Sequence, residues 1–275
     1  MLQKRQDTKL NNGKLNNGQD KIKTGADTIK NGPDANLCDE LRTLIINLGA
    51  SFVGFSNVYE LLPEALKRYP YAISFGVRLS NAIIDEIEDK PTYTYYSHYR
   101  SVNALIDNIG LRVMLYLQDK GHRAYSIPAS QSIPDAPQSY SGLFPHKTGA
   151  VASGLGWIGK NGLFIHGEYG PRVRLGTVLT DLELPCGYPT DWSGAESAPE
   201  ETLAEKVRRV CRSCNRCVSA CPAMALTGNE WHPGVRREDI VDAKACSDYM
   251  KEKFKHIGRG DVCGICISVC PLGKA

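Results

Sequence analysis

The 275-residue sequence has no apolar run that approaches the roughly 20 residues needed to cross a membrane as a helix. Its N-terminus is polar and contains neither an apolar signal segment nor a twin arginine. We therefore expect no membrane span and a cytoplasmic location. Apolar residues make up 42% of the chain and charged residues 23%, a composition typical of globular proteins that bury a core.

The main part of the chain also lacks an excess of either charge. Residues 37–275 contain 26 basic and 26 acidic side chains, so the net charge of +3 belongs to residues 1–36. This balance argues against the extensive positive field of a nucleic-acid-binding protein. Residues 1–36 contain few apolar side chains and repeat KLNNG in tandem, which predicts a disordered tail.

Cysteine, by contrast, is abundant, and eight of the ten cysteines lie within residues 211–270. In a reducing compartment such clustering indicates metal binding rather than disulfides. The first run reads Cys211-x2-Cys214-x2-Cys217-x3-Cys221-Pro222. This is the spacing of bacterial ferredoxins, in which three cysteines bind one [4Fe–4S] cluster and the fourth reaches a neighbouring cluster.

A second run, Cys263-x2-Cys266-x3-Cys270-Pro271, is one cysteine short of this pattern, and Cys246 is the obvious additional ligand. We assign the eight cysteines to two clusters, the first held by Cys211, Cys214, Cys217 and Cys270 and the second by Cys221, Cys246, Cys263 and Cys266. Zinc is the alternative metal, but it favours paired C-x2-C knuckles, which two interlocked runs ending in Cys-Pro do not match. Cys38 and Cys186 remain, and we expect both to be buried structural thiols.

The periodicity of apolar residues predicts a mixture of helices and strands before the cysteines. Helices are expected at 37–48, from Ser101 onwards, at 147–153 and from Ser197 through Val210; strands at 50–56, 71–79 and 123–129; and a β-hairpin joining 162–167 to 172–181. The predicted fold class is α/β, an α+β sandwich, followed by a ferredoxin-like domain with two [4Fe–4S] clusters. The expected division is a tail at 1–36, the α/β domain at 37–196 and the cluster domain at 197–275.

The segment GLGWIGKNG, residues 154–162, matches the dinucleotide-binding pattern G-x-G-x-x-G. That pattern requires a strand before it and a helix after it, whereas here a helix is predicted before it and a strand after it. We therefore reject a dinucleotide site and predict a tight helix-to-strand turn. Its glycines would let a bulky group approach the backbone, with Trp157 and Lys160 as candidate contacts.

Five stretches in this order resemble the epoxyqueuosine reductases, a family related to the corrinoid-dependent reductive dehalogenases. They are SGLGWIGKNGLFI at 153–165, RLGTVLTDLELP at 174–185, CRSCNRCVSACP at 211–222, ACSDY at 245–249 and CGICISVCP at 263–271. The resemblance implies a nitroreductase-like domain with a base-off cobalamin, to which the two clusters deliver electrons. It places the cofactor contacts at Gly154, Gly156, Trp157, Gly159, Lys160, Gly176 and Thr177.

The resemblance also suggests where a proton donor would lie. Members of the family carry an aspartate in a D-T/S-A/G-P motif ahead of the glycine segment, but counting back thirteen residues from Ser153 reaches Tyr140. The nearest aspartate is Asp135, in the sequence PDAP. The dehalogenase relatives use a tyrosine as donor, so both Tyr140 and Asp135 are candidate catalytic residues.

The expected partners are a low-potential ferredoxin or flavodoxin as electron donor and a small-molecule or nucleoside-type substrate. The chain ends five residues after Cys270, which suggests a short form without the helical-repeat extension with which many family members grip tRNA. A tRNA substrate is therefore a weaker expectation. The alternatives are a non-catalytic electron-transfer protein, whose larger domain would dock a partner or bind a flavin, and a reductive activator of another corrinoid protein.

Two further features bear on a binding site. The stretch YTYYSHYRSVN, residues 93–103, lies before the predicted long helix and would form either a substrate or corrinoid wall or an aromatic cap on the core. Arg172 and Arg174 alternate along a predicted strand and so share one face, which would line a site or simply face water.

Overall fold

The computed structural model describes residues 35–133, 140–184, 203–260 and 262–274, all of which lie within the unit Pro33–Ala275. Six strands occur in these ranges: β1 Phe52–Asn57, β2 Tyr71–Arg78, β3 Ala124–Ile127, β4 Gly156–Ile158, β5 Phe164–His166 and β6 Val173–Thr180. The α-helices of these ranges are α1 Ala35–Asn47, α2 Asn81–Asp85, α3 Tyr93–Asp119, α4 His146–Ala152, α5 Leu203–Ser213, α6 Arg216–Ser219, α7 Ala243–Lys253, α8 Lys255–Gly258 and α9 Ile265–Ser268.

A four-stranded antiparallel sheet, in the order β1-β2-β6-β3, forms the centre of the fold. Side chains alternate between its two faces. Ile73 and Phe75 of β2 pack with the core that contains α1 and α3. Ala72 faces the other way, towards Gly149 of α4. The sheet is therefore sandwiched between helices, which confirms the predicted mixed α/β class.

Helix α3 begins at Tyr93, so the prediction that it starts at Ser101 was wrong by eight residues. The reason is a cap at Thr92, whose Oγ1 accepts a hydrogen bond from the Tyr95 amide at 3.0 Å. The aromatic stretch 93–103 consequently forms the first turns of the helix rather than a segment before it. Its tyrosines thus acquire fixed directions relative to the sheet.

The predicted hairpin between 162–167 and 172–181 was also wrong. Strand β5 pairs with β4, with Trp157 opposite Ile165, while β6 inserts between β2 and β3. The chain leaves β5 through a turn in which Gly170 adopts a φ of 57° and bridges His166. Both edges of β6 are therefore occupied by strands far away in sequence, which leaves no edge for β5.

The cysteine-rich segment packs directly on the sandwich. Phe254, Val262, Ile265 and Ile267 are buried in the same cluster as the apolar residues of α1 and α3. One hydrophobic core is therefore shared by residues before and after the gap at 185–202. The predicted boundary between residues 196 and 197 lies outside the described residues, as do residues 1–34 of the predicted tail at 1–36. The division into domains therefore stays a prediction.

Within the described ranges, no helix is both long and apolar enough to cross a membrane.

Candidate functional site

The first cysteine set, Cys211, Cys214, Cys217 and Cys270, lines a single cavity. Helix α5 carries Cys211, α6 carries Cys217, and Cys270 follows α9. The rest of the lining includes Gly159 to Asn161 of the glycine segment, Val210, Arg216 and the Pro271–Leu272 pair. The structure thus brings together the four cysteines that the sequence assigned to the first cluster, although Cys211 and Cys270 are 59 positions apart in the chain.

Burial raises the pKa of three thiols of this set. It raises the pKa of Cys270 to about 11, and the nearby Cys217, Cys211 and Cys214 raise it further. The pKa values of Cys211 and Cys217 are also raised, chiefly by burial. Thiols that are buried and electrostatically coupled in this way are costly to ionise unless a cation neutralises them, and iron does so in a cluster.

The second cysteine set, Cys221, Cys246, Cys263 and Cys266, is coupled in the same manner. Burial raises the pKa of Cys263 to about 11, with further contributions from Cys246 and Cys221. Cys266 is the most deeply buried, and its pKa lies well above the usual value for the same reason, reinforced by the other three thiols. The four donors therefore form one electrostatic group, as one cluster would require.

Cys246, the cysteine outside both runs, is positioned by a helix cap. Asp242 precedes α7, and its side chain accepts a hydrogen bond from the Ala245 amide at 2.9 Å. Its carbonyl accepts from the Cys246 amide at 3.1 Å. These two hydrogen bonds fix the first turn of α7 and so position Cys246 near Cys221. Burial is the main reason why the pKa of Cys246 is raised, and the nearby Cys221 raises it further.

The two sets are neighbours, and their donor chemistry fits two clusters. Helices α6 and α9 pack together and carry Cys217 and Cys266, and the pKa of Cys266 is raised in part by Cys217 of the other set. In the described ranges no three His, Cys, Asp or Glu side chains approach closely enough to hold a single metal ion. Thiols spread around a cavity suit a cubane cluster better than a tetrahedral zinc ion.

Lys160 joins the glycine segment to the first cysteine set. Its side chain is buried, and its ammonium donates to the Arg212 carbonyl and to Asn215 Oδ1, both at 2.9 Å. Its backbone amide donates to Cys211 Sγ at 3.4 Å. Lys160, predicted as a corrinoid contact, therefore lies beside the first cluster site and is engaged by protein groups.

Two glycines of the segment pack closely against strand β5. A Cβ on Gly156 would lie 2.1 Å from the Ile165 carbonyl oxygen, and one on Gly159 would lie 3.0 Å from Ile165 Cγ1. Gly154 has a φ of 70° and makes the turn after α4. The structure therefore gives these glycines roles in strand packing and chain reversal, and their contact with a cofactor stays a prediction.

Trp157 also contacts protein. Its ring packs edge-on against Trp231 with centroids 4.9 Å apart, and its Nε1 donates to the Trp231 carbonyl at 3.2 Å. The Arg208 guanidinium lies 5.0 Å from the Trp157 ring centroid. Trp157 is partly exposed and belongs to the surface that α5 presents beside the first cysteine set.

The last two predicted contacts, Gly176 and Thr177, lie on β6. Gly176 faces Phe75 and Ile106, since a Cβ there would lie 2.4 Å from the Phe75 ring. Thr177 is buried, and its Oγ1 lies 2.9 Å from Nδ1 of His146. Both residues are buried among other protein groups. Their predicted contact with a cofactor stays a prediction.

A polar group lies between α3 and β6, and it joins the tyrosine-rich stretch to Arg174, two features that the sequence analysis considered separately. We call it the tyrosine–arginine group: Tyr95, Tyr99, Asn103 and Arg174. Arg174 Nε donates to Asn103 Oδ1 at 2.9 Å, and its guanidinium lies 4.5 Å from the Tyr99 ring centroid. In the described part of the chain no carboxylate pairs with Arg174, whose other hydrogen bonds are to Tyr99 Oη and the Ala129 carbonyl.

Tyr95 connects this group to the second cysteine set. Burial raises the pKa of its phenol far above the usual value; Arg174 acts in the opposite direction, while Cys266 and Cys263 raise it. Tyr95 also packs against Gly264, one of the two residues between Cys263 and Cys266 on the chain. The alternation of Arg172 and Arg174 and the tyrosine-rich stretch were the sequence signals that could have located this group.

Of the two candidate proton donors, only Tyr140 is described, and Asp135 lies outside the described residues. Tyr140 has a φ of 59° and a half-exposed side chain. Its carbonyl accepts from Arg237 at 3.1 Å, and Lys251 of α7 lies 5.6 Å from its ring centroid. These contacts hold its loop against the helix that carries Cys246.

Comparison with known proteins agrees with this arrangement. Residues 210–273 match the family model for a 4Fe-4S double cluster binding domain. A tetrachloroethene reductive dehalogenase of Desulfitobacterium hafniense is 35% identical over 135 residues, which are 46% of this chain and 21% of that protein. An epoxyqueuosine reductase of Gloeobacter violaceus is 34% identical over 143 residues, 48% of this chain and 37% of that protein. The chain thus matches well under half the length of these curated relatives.

A solved reductive dehalogenase, whose structure suggests a mechanism for B12-dependent dehalogenation, has a similar fold. The TM-score is 0.66 at 19% identity, covering 92% of this chain and 34% of the other. At this identity the likeness concerns the fold alone. The chain is therefore a relative of the reductive dehalogenases and epoxyqueuosine reductases, with a fold that they share and a 4Fe-4S double cluster binding domain.

Proposed function

We propose that the chain is an iron–sulfur oxidoreductase of the epoxyqueuosine reductase and reductive dehalogenase type, with two [4Fe–4S] clusters and cobalamin as cofactors. The observation that carries this proposal is the position of Tyr95, which packs against Gly264 in the Cys263–Cys266 stretch and whose ring centroid lies 6.5 Å from that of Tyr99 in the tyrosine–arginine group. A polar site therefore lies directly beside the second cysteine set, where electrons would leave the relay.

The cysteine sets define the path of the electrons. Cys217 and Cys266 lie on adjoining helices, so the two clusters would be neighbours. The tyrosine–arginine group contacts the second set, since Tyr95 packs against Gly264 in the Cys263–Cys266 stretch, and none of its residues lines the cavity of the first set. Electrons would thus enter at the first cluster and leave from the second.

The polar side chains of the tyrosine–arginine group are better suited to bind cobalamin than the residues of the glycine segment are. A corrinoid carries amide side chains and a phosphate, which bind hydroxyl, amide and guanidinium groups. Arg174, Asn103 and Tyr99 offer these groups, and Ser130 Oγ lies 3.4 Å from Tyr99 Oη. When bound there, a corrinoid would supply a low-potential metal centre at which a substrate is reduced.

The residues of this chain would hold the cofactor and supply a proton. Arg174 would bind an anionic group, because the described residues leave its charge without a carboxylate partner. Tyr140, which precedes α4, and Asp135 remain the proposed proton donors. Anaerobic turnover that is lost in Tyr140→Phe or Asp135→Asn at unchanged iron content would identify the donor, and a position whose loss leaves turnover intact is excluded.

Cofactor content tests the proposal. We expect anaerobically reconstituted protein to hold about eight irons and, after incubation with hydroxocobalamin, to retain cobalt through gel filtration. Arg174→Gln should retain less cobalt at unchanged iron, whereas Arg100→Gln, a change at an exposed position on α3, should behave like the wild type. Failure to take up cobalt before and after reduction would overturn the cobalamin part of the proposal.

The same measurement separates the alternatives. Reducible clusters without cobalt and without turnover would indicate an electron-transfer protein. Retained iron together with reduction of a separate corrinoid protein would indicate an activator. The proposed substrates are small molecules or nucleosides. A turnover assay should also test a tRNA stem-loop for comparison.

A further inference from the structure

A basic surface lies beside the first cysteine set. Residues 207–229 contain four arginines and no lysine, aspartate or glutamate. Three of the arginines, Arg208, Arg212 and Arg216, are exposed and follow one another at intervals of four residues along α5 and the start of α6. We call these three residues the arginine surface.

This surface lies directly over the cavity of the first cysteine set. Arg216 lines that cavity, together with Val210 between Arg208 and Arg212. The Arg208 guanidinium lies over the partly exposed Trp157 ring, which in turn packs against Trp231. Tryptophan and arginine are among the residue types that contribute most to protein–protein binding.

The positive charge of the surface is largely retained. The side chain of Arg212 is 69% exposed, and its single carboxylate contact in the described residues is Glu230, at 3.6 Å. Arg208 lies over an aromatic ring, which leaves its charge intact. An acidic partner would therefore be attracted to this face, although residues 37–275 as a whole carry no net charge.

We propose that the arginine surface is the docking site of an acidic electron-transfer protein of the ferredoxin class, which reduces the first cluster. The reduced donor gives up one electron and the cluster gains one, with no bond or proton transferred. This inference rests on the proposed function, since it assumes that the first cluster is the entry point of the relay.

An acidic protein fits this face better than a nucleic acid does. A nucleic-acid substrate would have to bring its reacting atom to the tyrosine–arginine group, beyond the second cysteine set. A donor protein needs only to bring its redox centre close to the first cluster, and the arginine surface lies over that cluster. Three arginines on two consecutive helical segments also form a compact patch, not the extended row of basic side chains that would follow a nucleic-acid backbone.

Charge reversal tests this proposal in the reconstituted full chain. The variant is Arg208→Glu/Arg212→Glu, and the control is Arg112→Glu/Arg123→Glu, which makes the same change at two exposed positions. Arg112 lies far along α3 from Tyr95, roughly 25 Å at 1.5 Å per residue. Iron content and complete bleaching by dithionite establish that the clusters of every variant are intact.

The measured quantity is the rate at which reduced ferredoxin bleaches the clusters, without corrinoid or substrate, so the result does not depend on catalysis. We expect the arginine variant to be reduced about 10-fold or more slowly at low salt, with the difference shrinking as salt is raised. The control should match the wild type. Equal rates for variant and wild type, equal slowing of both double variants, or loss of binding to an RNA stem-loop without slower reduction would each overturn the proposal.

Discussion

The Lys160 ammonium lies 2.9 Å from Asn215 Oδ1, and through this contact the glycine segment of the sandwich is tied to the loop between Cys214 and Cys217. The same ammonium donates to the Arg212 carbonyl. A buried cation is thus held at the edge of the first cluster site. Reduction adds negative charge to a cluster, so this cation favours the reduced state.

We expect Lys160→Met to lower the reduction potential of the first cluster, since it removes the positive charge. It should also destabilise the fold by about 2 kcal/mol, because the Arg212 and Asn215 acceptors lose their buried donor. Anaerobic redox titration followed by EPR measures the first effect, and denaturant unfolding measures the second.

Lys147 offers a matched control for this change. Its side chain is partly buried and its ammonium donates to the Gly162 carbonyl at 2.9 Å, but Lys147 is not among the residues that line the cavity of the first cysteine set. Lys147→Met should therefore cost stability without moving the potential of the first cluster. Equal shifts in both variants would show that the potential responds to loosened packing rather than to the charge of Lys160.

The crossed assignment of the cysteines can be tested by paired substitutions. If Cys211 and Cys270 bind one cluster, replacing both with alanine should leave about four of the eight irons. Replacing Cys263 and Cys270 should remove both clusters, because these residues belong to different sets. Iron analysis after anaerobic reconstitution measures both outcomes. Assignment of each cluster to its own run of the sequence predicts the reverse result.

Cys38 provides the background for this experiment. It is buried in the core with residues of α1 and α3 and is not among the residues that line the cavity of the first cysteine set. Cys38→Ala should keep about eight irons. Iron loss in this variant would mean that unfolding, rather than the removal of a ligand, explains the losses at the other positions.

Some of the fold could be predicted from the sequence because its signals are local. The apolar spacing located α1, β1 and β2 within about two residues, and the spacing of the cysteines indicated the cluster domain. The start of α3 was missed because one residue, Thr92, determines it through its side chain. The partner of β5 was missed because strand pairing depends on which edges are free in the folded sheet, and local periodicity does not report this.

The residues of the candidate site can likewise be divided into those that the sequence reveals and those that it does not. Cys211 to Cys221 follow one another closely, so their chemistry is visible in the sequence. Tyr99 and Arg174 are 75 positions apart and meet only because α3 packs on the face of the sheet that contains β6. The glycine segment is the opposite case, because its pattern is easily seen in the sequence but does not explain the glycines. Gly156 and Gly159 are required by close packing against Ile165, which only the structure reveals.

Gly156 allows these two explanations of the glycine segment to be compared. In Gly156→Ala the new methyl group would lie 2.1 Å from the Ile165 carbonyl oxygen, so β4 and β5 must move apart. We expect a loss of about 3 kcal/mol in unfolding free energy without any corrinoid present. Unchanged stability combined with weaker cobalamin retention would instead show that the glycine makes room for the cofactor.

Two buried histidines should make the protein sensitive to acid. His146 lies between Thr177 Oγ1 and the Pro128 carbonyl, each at 2.9 Å from a ring nitrogen. Since a carbonyl only accepts, Nε2 carries the proton and Nδ1 accepts from the threonine. His166 accepts two backbone amides at Nδ1, at 3.1 and 3.3 Å. Burial lowers the pKa of both to about 4.

Because both histidines are neutral in the folded state and have a pKa near 6.5 when unfolded, the unfolded state binds more protons between these values. Stability should therefore be highest above pH 6.5 and fall as the pH drops towards 4. From pH 7 to pH 5 the loss should be about 2 kcal/mol for each histidine. Urea unfolding across this range measures it, with His146→Gln expected to reduce the slope. His256→Gln, at an exposed position on α8, should leave the slope unchanged, and a wild-type stability independent of pH would contradict the buried neutral state.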